Sequence, residues 1–337
     1  MRALLLENYH DDLATAIRSL KVVERPRPVL GPGEVLVRVD AAPCNPSDLL
    51  LLQGKYSLKT LPTVPGWEGT GTVVESGGGW LGWWLRGKRV ACSLQDDRDG
   101  TWAEYVVASA WQCIPLRGNV SVEQGACLTI NPLTAVGLLE TARRGRHLAA
   151  IHTAGASQLG RMLIVLAKEA GYPLINVVRR AEQVELLQSL GAVYVLDSSQ
   201  DRFATELKSL CERLGGTIAF EAVAGEMTGV VIRAMPAGSQ VYLYGALSEE
   251  ACGGIDPIDI IFHLKSLRGF YLGAWAKERG AMGMLRAANR VQRMIADGRL
   301  ATRIQRRLTL DGAVEGLLHY VSHMTDGKVL ITPHAHD

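Results

Sequence analysis

The stretch HTAGASQLGRMLIVLAKEAG, residues 152–171, followed by PLINVVRR, constrains this chain more than any other, because it reads as strand, tight turn, helix and strand. The apolar run 147–151 supplies the first strand, and Gly155, Ser157 and Gly160 occupy the three glycine positions of a G-x-G-x-x-G turn. Met162, Leu163, Leu166 and Ala167 then recur at helical spacing. Such a turn presents a helix N-terminus, with its unpaired N–H groups and positive dipole end, to an anionic pyrophosphate. Ser157 replaces the middle glycine, the one that lets backbone approach the pyrophosphate, so the turn by itself is a weak signal. The second strand strengthens it. Strands selective for NADH usually end in an acidic residue for the ribose hydroxyls, whereas this one ends in Arg179 and Arg180. Two guanidinium groups suit a phosphate by charge and by bidentate geometry, which points to NADPH. The competing reading is a solvated helix start carrying ordinary surface arginines.

With 337 residues, 47% of them hydrophobic, the chain can build two domains with buried cores. Its net charge is +2 and its basic residues are scattered, which predicts no nucleic-acid or membrane partner and leaves a small-molecule substrate as the default. The apolar run in MRALLLENYH is short for a secretory signal, and no run of about 18 apolar residues occurs, so a soluble cytoplasmic protein is expected. Six widely spaced cysteines without a C-x-x-C pair are expected to be reduced and buried. His319 and His323 share a helix face and His334 and His336 end the chain, but no carboxylate or thiolate joins them in sequence, so no metal is expected there.

The first part alternates short β-rich runs with turns: VLVRVDAA, GTGTVVE, GKRVACS and TWAEYVV. From about Ser121 the pattern becomes helix, strand, helix, with an amphipathic stretch over 122–143 and strands near Ala149, Ile175, Tyr194, Ala219 and Tyr242. That alternation predicts an α/β fold in which a doubly wound parallel sheet is inserted in a partly antiparallel β domain. The predicted limits are 123–264 for the nucleotide domain and 1–122 with 265–337 for the other. A further strand in SLRGFYLGAW, a helix over about 280–297, a strand in RIQRRLTL, a last helix and the strand GKVLITP are expected to return to the first domain.

The ordered segments GPGEVLVRV, NPSD, QGKY, PGWEG, GKRV, TWAEY, NPLTA, the glycine turn, LRGF and GKVLI resemble the zinc-independent branch of the medium-chain dehydrogenase/reductase superfamily over nearly the whole length. QGKY, INPLTA, the serine in the turn, INVVR and LRGFYLGAW are most similar to the 2-enoyl thioester reductases, with quinone and enone reductases next. The resemblance implies a GroES-like catalytic domain around an NADPH-binding Rossmann domain. Zinc-dependent members hold a catalytic metal through a cysteine and a histidine; here Asn45 stands at the cysteine position, with Cys44 one residue early, and Trp67 at the histidine position. The segment 93–105 also lacks the four cysteines of their structural zinc loop. Without a Lewis acid an alcohol or unactivated ketone is hard to polarise, so alcohol dehydrogenation is not expected.

Hydride delivery to an activated double bond needs only orientation and a proton donor. Tyr56 aligns with the tyrosine that enoyl thioester reductases use beside the substrate carbonyl, and a free phenol, titrating near pH ~10, is a proton donor at neutrality. Asn45 is the second catalytic candidate, as a neutral donor near the reacting carbonyl or the nicotinamide ribose, or equally a turn residue before Pro46. By the same resemblance Thr134 faces the nicotinamide end, and Gly155, Ser157, Gln158, Leu159 and Gly160 face the pyrophosphate. Arg179 faces the 2′-phosphate with Arg180 beside it, and backbone at Tyr244, Gly245, Ala246 and Phe270 to Leu272 meets the carboxamide. Trp67, Tyr271 and Trp275 are expected to line the substrate pocket, and Trp80, Trp83 and Trp84 to pack, with a domain edge or subunit contact as alternatives. A homodimer is expected by resemblance, through pairing of SLRGFYLGA across a two-fold. The alternatives to enoyl or enone reduction are quinone reduction and a catalytically silent, NADPH-binding structural or interaction protein.

Overall fold

The computed structural model describes residues 1–56, 59–94 and 97–334, and its contacts divide into two units, Met1–Ile130 with Ala281–Asp337, and Asn131–Gly280. The first unit is built on a seven-stranded sheet in which Glu34–Pro43 pairs antiparallel with three others: Glu68–Ser76, Tyr105–Ser109 and Lys328–Ile331. Arg89–Ser93 and Cys113–Pro115 extend one side, and Ile304–Leu308 joins parallel to the terminal strand. Alternation along Glu34–Pro43 sends Val35, Val37 and Val39 into a core with Val73, Val90, Trp102, Val106, Leu317 and Tyr320. The glycines of GTGTV are a packing requirement, since a Cβ at Gly71 would stand 2.0 Å from the Arg38 carbonyl oxygen.

The second unit is a six-stranded, wholly parallel sheet ordered Tyr194–Asp197, Leu174–Val178, Ala149–His152, Gly216–Glu221, Gln240–Leu243, Ser266–Gly269. In chain order this is 3-2-1-4-5-6, the dinucleotide-binding arrangement, whose ligands lie beyond the carboxyl ends of the strands. Strands buried on both faces explain the continuous apolar run in Leu174–Val178, where Asn176 is the one polar residue.

The units divide after Ile130 and Gly280 rather than after residues 122 and 264. Val122–Ala126 packs with Ala41 and Leu330 of the first unit. Ser266–Gly269 does not return to the first domain; it pairs parallel with Gln240–Leu243 and forms the sheet edge. The rest of SLRGFYLGAW is helix from Leu272, and Gly280, at φ 66° and ψ 171°, interrupts Leu272–Ala296 where the units divide.

Candidate functional site

In the first unit Asn45 precedes Pro46–Leu52, with the proline at the helix start. Asp48 accepts from the backbone N–H of Asn45 (2.7 Å) and of Trp67 (3.0 Å), tying the helix to the segment before Glu68–Ser76. The Asn45 amide joins two buried charges. Its Nδ2 donates to Glu68 Oε1 at 3.0 Å, and its Oδ1 accepts from Lys328 Nζ at 2.6 Å. Lys328 also donates to the Cys44 carbonyl, and Glu68 Oε2 accepts from Thr129 N, Thr129 Oγ1 and Ile130 N. Burial pushes the Asp48 carboxyl up to about 7 and raises that of Glu68. Asn45 is thus a link between an ammonium and a carboxylate.

Trp67 is 3% exposed, and its indole Nε1 has no hydrogen-bond partner among the described residues. The half-buried Tyr56 ring meets it edge-on at 5.5 Å between centroids, and Lys59 Nζ lies 4.6 Å above the indole. Tyr56, the catalytic candidate, and Trp67, the expected pocket residue, are therefore neighbours. The residues at the metal-ligand positions do not fit a zinc ion. The Asn45 oxygen is taken by Lys328, Trp67 offers only a donor, and the Cys44 thiol, raised by burial and by Asp48, turns to the Asn45 carbonyl at 3.8 Å. Among the described residues no three His, Cys, Asp or Glu side chains converge on one point; His319 and His323 stack on each other, and His336 lies outside the described residues.

In the second unit Ser157 is the N-cap of Gln158–Glu169, accepting from Gly160 N at 3.0 Å, which gives the serine at the middle-glycine position a local role. Gly160 admits no side chain, since a Cβ there would stand 2.2 Å from the Gly155 carbonyl oxygen, and Gly155 N bonds to Val177 O. The turn is thereby locked between two strands, with Gln158 and Leu159 opening the helix. Arg161 folds back, Nε to Ala156 O at 3.0 Å, adding a cation that sequence reading passed over.

Arg179 and Arg180 follow Leu174–Val178 and are both exposed. The Arg179 guanidinium has no partner among the described residues, whereas Arg180 pairs with Glu182 at 3.1 Å. Tyr244 donates its hydroxyl to, or accepts from, His152 Nε2 at 2.6 Å, and the imidazole, pushed down to about 3 by burial, stays neutral. The side chain of Tyr244 is thus committed within the fold. Gly245 lies against Ala222, where a Cβ would come within 2.9 Å of a carbonyl oxygen, and the Ala246 carbonyl accepts from Glu249 N. Phe270 N bonds to Leu243 O, Tyr271 is half exposed, and Thr134 is buried in Asn131–Arg144.

Trp275, expected to line the substrate pocket, is buried at 6% exposure. It packs on Gly137 and lines a cleft of about 350 Å³ with Glu140, His147, Gln240 and Tyr242, toward the starts of the strands rather than their carboxyl ends. The sequence reading also passed over Asp48, Glu68, Lys328 and Glu221. Each is the charged residue inside an otherwise apolar or turn-like run (NPSD, PGWEG, GKVLI, IAFEAV), and that isolation was the available signal. Glu221 is fully buried and accepts from Thr153 Oγ1, Thr228 Oγ1, Val223 N and Ala224 N, holding the turn after its strand.

Residues 31–118 match the alcohol dehydrogenase GroES-like domain family, and residues 159–287 match the zinc-binding dehydrogenase family. The mitochondrial enoyl-[acyl-carrier-protein] reductase of Xenopus tropicalis is 33% identical over 297 residues, covering 82% of this chain and 79% of that protein. The chain belongs to the medium-chain dehydrogenase/reductase superfamily. This reductase fold is shared with a candidate NADPH:quinone reductase from Mesorhizobium loti, at a TM-score of 0.90 and 34% identity over 99% of this chain and 98% of that one. A mycobacterial protein solved with NADPH shares the fold alone, at a TM-score of 0.81 and 24% identity over 99% of this chain and 100% of its own. As a member of this superfamily the chain is an oxidoreductase.

Proposed function

We propose that the protein is an NADPH-dependent, metal-free reductase of activated carbon–carbon double bonds, acting on 2-enoyl thioesters or enones. The observation that carries the reading is Tyr56 edge-on to Trp67, at the position where zinc-dependent relatives place a metal-ligand histidine. A phenol beside a buried indole N–H that has no partner among the described residues supports chemistry without a Lewis acid at that position. NADPH, when bound, supplies the hydride. As the β-carbon gains it, the double-bond electron pair moves toward the carbonyl oxygen, and Tyr56 stabilises that enolate or returns a proton to the α-carbon. Asn45 acts as a positioning residue, because its amide oxygen and one N–H are committed to Lys328 and Glu68.

The helix turn at Gly155 to Gly160 suits the pyrophosphate, and Arg179, whose guanidinium meets no described residue, suits the 2′-phosphate. Backbone at Tyr244 to Ala246 and Phe270 to Leu272, at the strand ends, suits the carboxamide, with Thr134 toward the nicotinamide. A homodimer through the edge strand Ser266–Gly269 is supported by the exposed Ile261, Phe262 and Leu264 just before it. Quinone reduction is the second reading, favoured by the likeness to the Mesorhizobium loti protein. Tyr56→Phe separates the two: a loss of about 100-fold or more in kcat on an enone, with quinone turnover kept, supports carbon–carbon reduction, and equal small losses on both favour the quinone.

A further inference from the structure

The tryptophans of GGGWLGWWLRGK do not pack. In Trp80–Leu85 the apolar face turned inward is Leu81, Gly82 and Leu85, while Trp80, Trp83 and Trp84, at i, i+3 and i+4, face solvent. They are 71%, 72% and 52% exposed. Trp111, 66% exposed on the one-turn helix Ala110–Gln112, meets Trp80 edge-on at 6.0 Å. Four solvent-facing indoles on one side of a single unit form a contiguous apolar surface of the kind that marks an interaction site.

We propose that this surface docks on an anionic lipid bilayer, with the indoles at headgroup depth and Arg86 and Lys88 against lipid phosphates. An indole is apolar over its ring and a donor at its edge, which fits the boundary where a bilayer changes from hydrocarbon to polar headgroups. The local charge fits the same partner. Residues 76–94 and 105–122 carry Arg86, Lys88, Arg89 and Arg117 and no acidic residue, and the neighbouring Glu75 is paired with Arg27. Lys88 Nζ lies 3.1 Å over the Trp84 ring, which holds a cation beside the apolar patch. Tryptophan and arginine are also enriched at protein–protein interfaces, and it is Lys88 beside the patch that departs from them, because their cores are depleted in lysine. Among the described residues no helix is long and apolar enough to cross a membrane, so the contact is peripheral. The near-zero net charge, which predicted no membrane partner, averages over this local excess.

The test is co-sedimentation of the full chain with phosphatidylcholine vesicles, with and without phosphatidylglycerol, read alongside tryptophan emission. The wild type is expected to pellet with the anionic vesicles and shift its emission to the blue. The triple variant Trp80→Ser, Trp83→Ser, Trp84→Ser, at exposed positions and with its melting temperature checked, should lose at least about tenfold in partitioning. Arg86→Ser and Lys88→Ser should each lose about fivefold. Wild type that stays in the supernatant, a triple variant that binds as well as wild type, or equal binding to neutral vesicles overturns the proposal. So does a triple variant whose only change is a smaller assembly mass without vesicles, because the patch is then a subunit contact.

Discussion

Around Asn45 the first unit satisfies its buried charges from within: Lys328 reaches the Asn45 oxygen, the Asn45 nitrogen reaches Glu68, and Asp48 gathers two backbone N–H groups. At the glycine turn the second unit bonds the N–H groups of Gly155, Ser157 and Gly160 internally, and the group left open is the Arg179 guanidinium, which no described residue meets. The contrast separates two tasks. A cluster whose amide and carboxylates are turned toward one another and toward an ammonium offers no open set of ligands for a cation, and the Trp67 indole N–H beside it has no partner among the described residues. A helix start beside a cation that no described residue meets suits an anion.

Breaking the closed cluster should have the largest effect. Lys328→Met leaves Glu68 and Asp48 buried without their nearby ammonium and is expected to lower stability by about 3–5 kcal/mol in denaturant titration, and adding Glu68→Gln should return part of it. If Lys328→Met costs nothing, the cluster does not depend on that charge.

The same cluster should make stability fall with rising pH. Asp48 moves from an ordinary 3.8 to about 7 in the fold, so the native state holds a proton that the unfolded chain releases first. Stability from this group is full below the lower value and is lost as pH rises toward 7, by at most about 1.4 kcal/mol per pH unit. Asp48→Asn should flatten that part of the profile, and an unchanged slope would assign it to another group.

The open site should respond in affinity rather than stability. Arg179→Ala is expected to weaken NADPH about ten- to hundredfold in a fluorescence titration, leave NADH unchanged, and keep the melting temperature. Arg180→Ala should do less, because that guanidinium already pairs with Glu182. Equal losses for both nucleotides would move the phosphate contact elsewhere.

What the sequence made legible follows from the range of each signal. The glycine turn, the five strands from Ala149 to Leu243 and the two arginines are local patterns, read within a few residues of one another. The sixth strand was misplaced because LRGF carries no periodicity that distinguishes a sheet edge from a return to the other domain. Asn45 was legible as a candidate but not as a link, since its partner Lys328 is 283 residues away. Trp80, Trp83 and Trp84 were expected to pack because tryptophan usually does, and only the positions of Leu81 and Leu85 show which helix face is buried.

On the function proposed above, this closed cluster and its neighbouring phenol replace a metal in reducing an activated double bond. The direct measurement is the initial rate of NADPH oxidation with a 2-enoyl thioester, for protein dialysed against a strong chelator, before and after zinc is added back. Full activity after chelation and no gain from zinc are expected. Activity that disappears on chelation and returns with zinc would contradict that function.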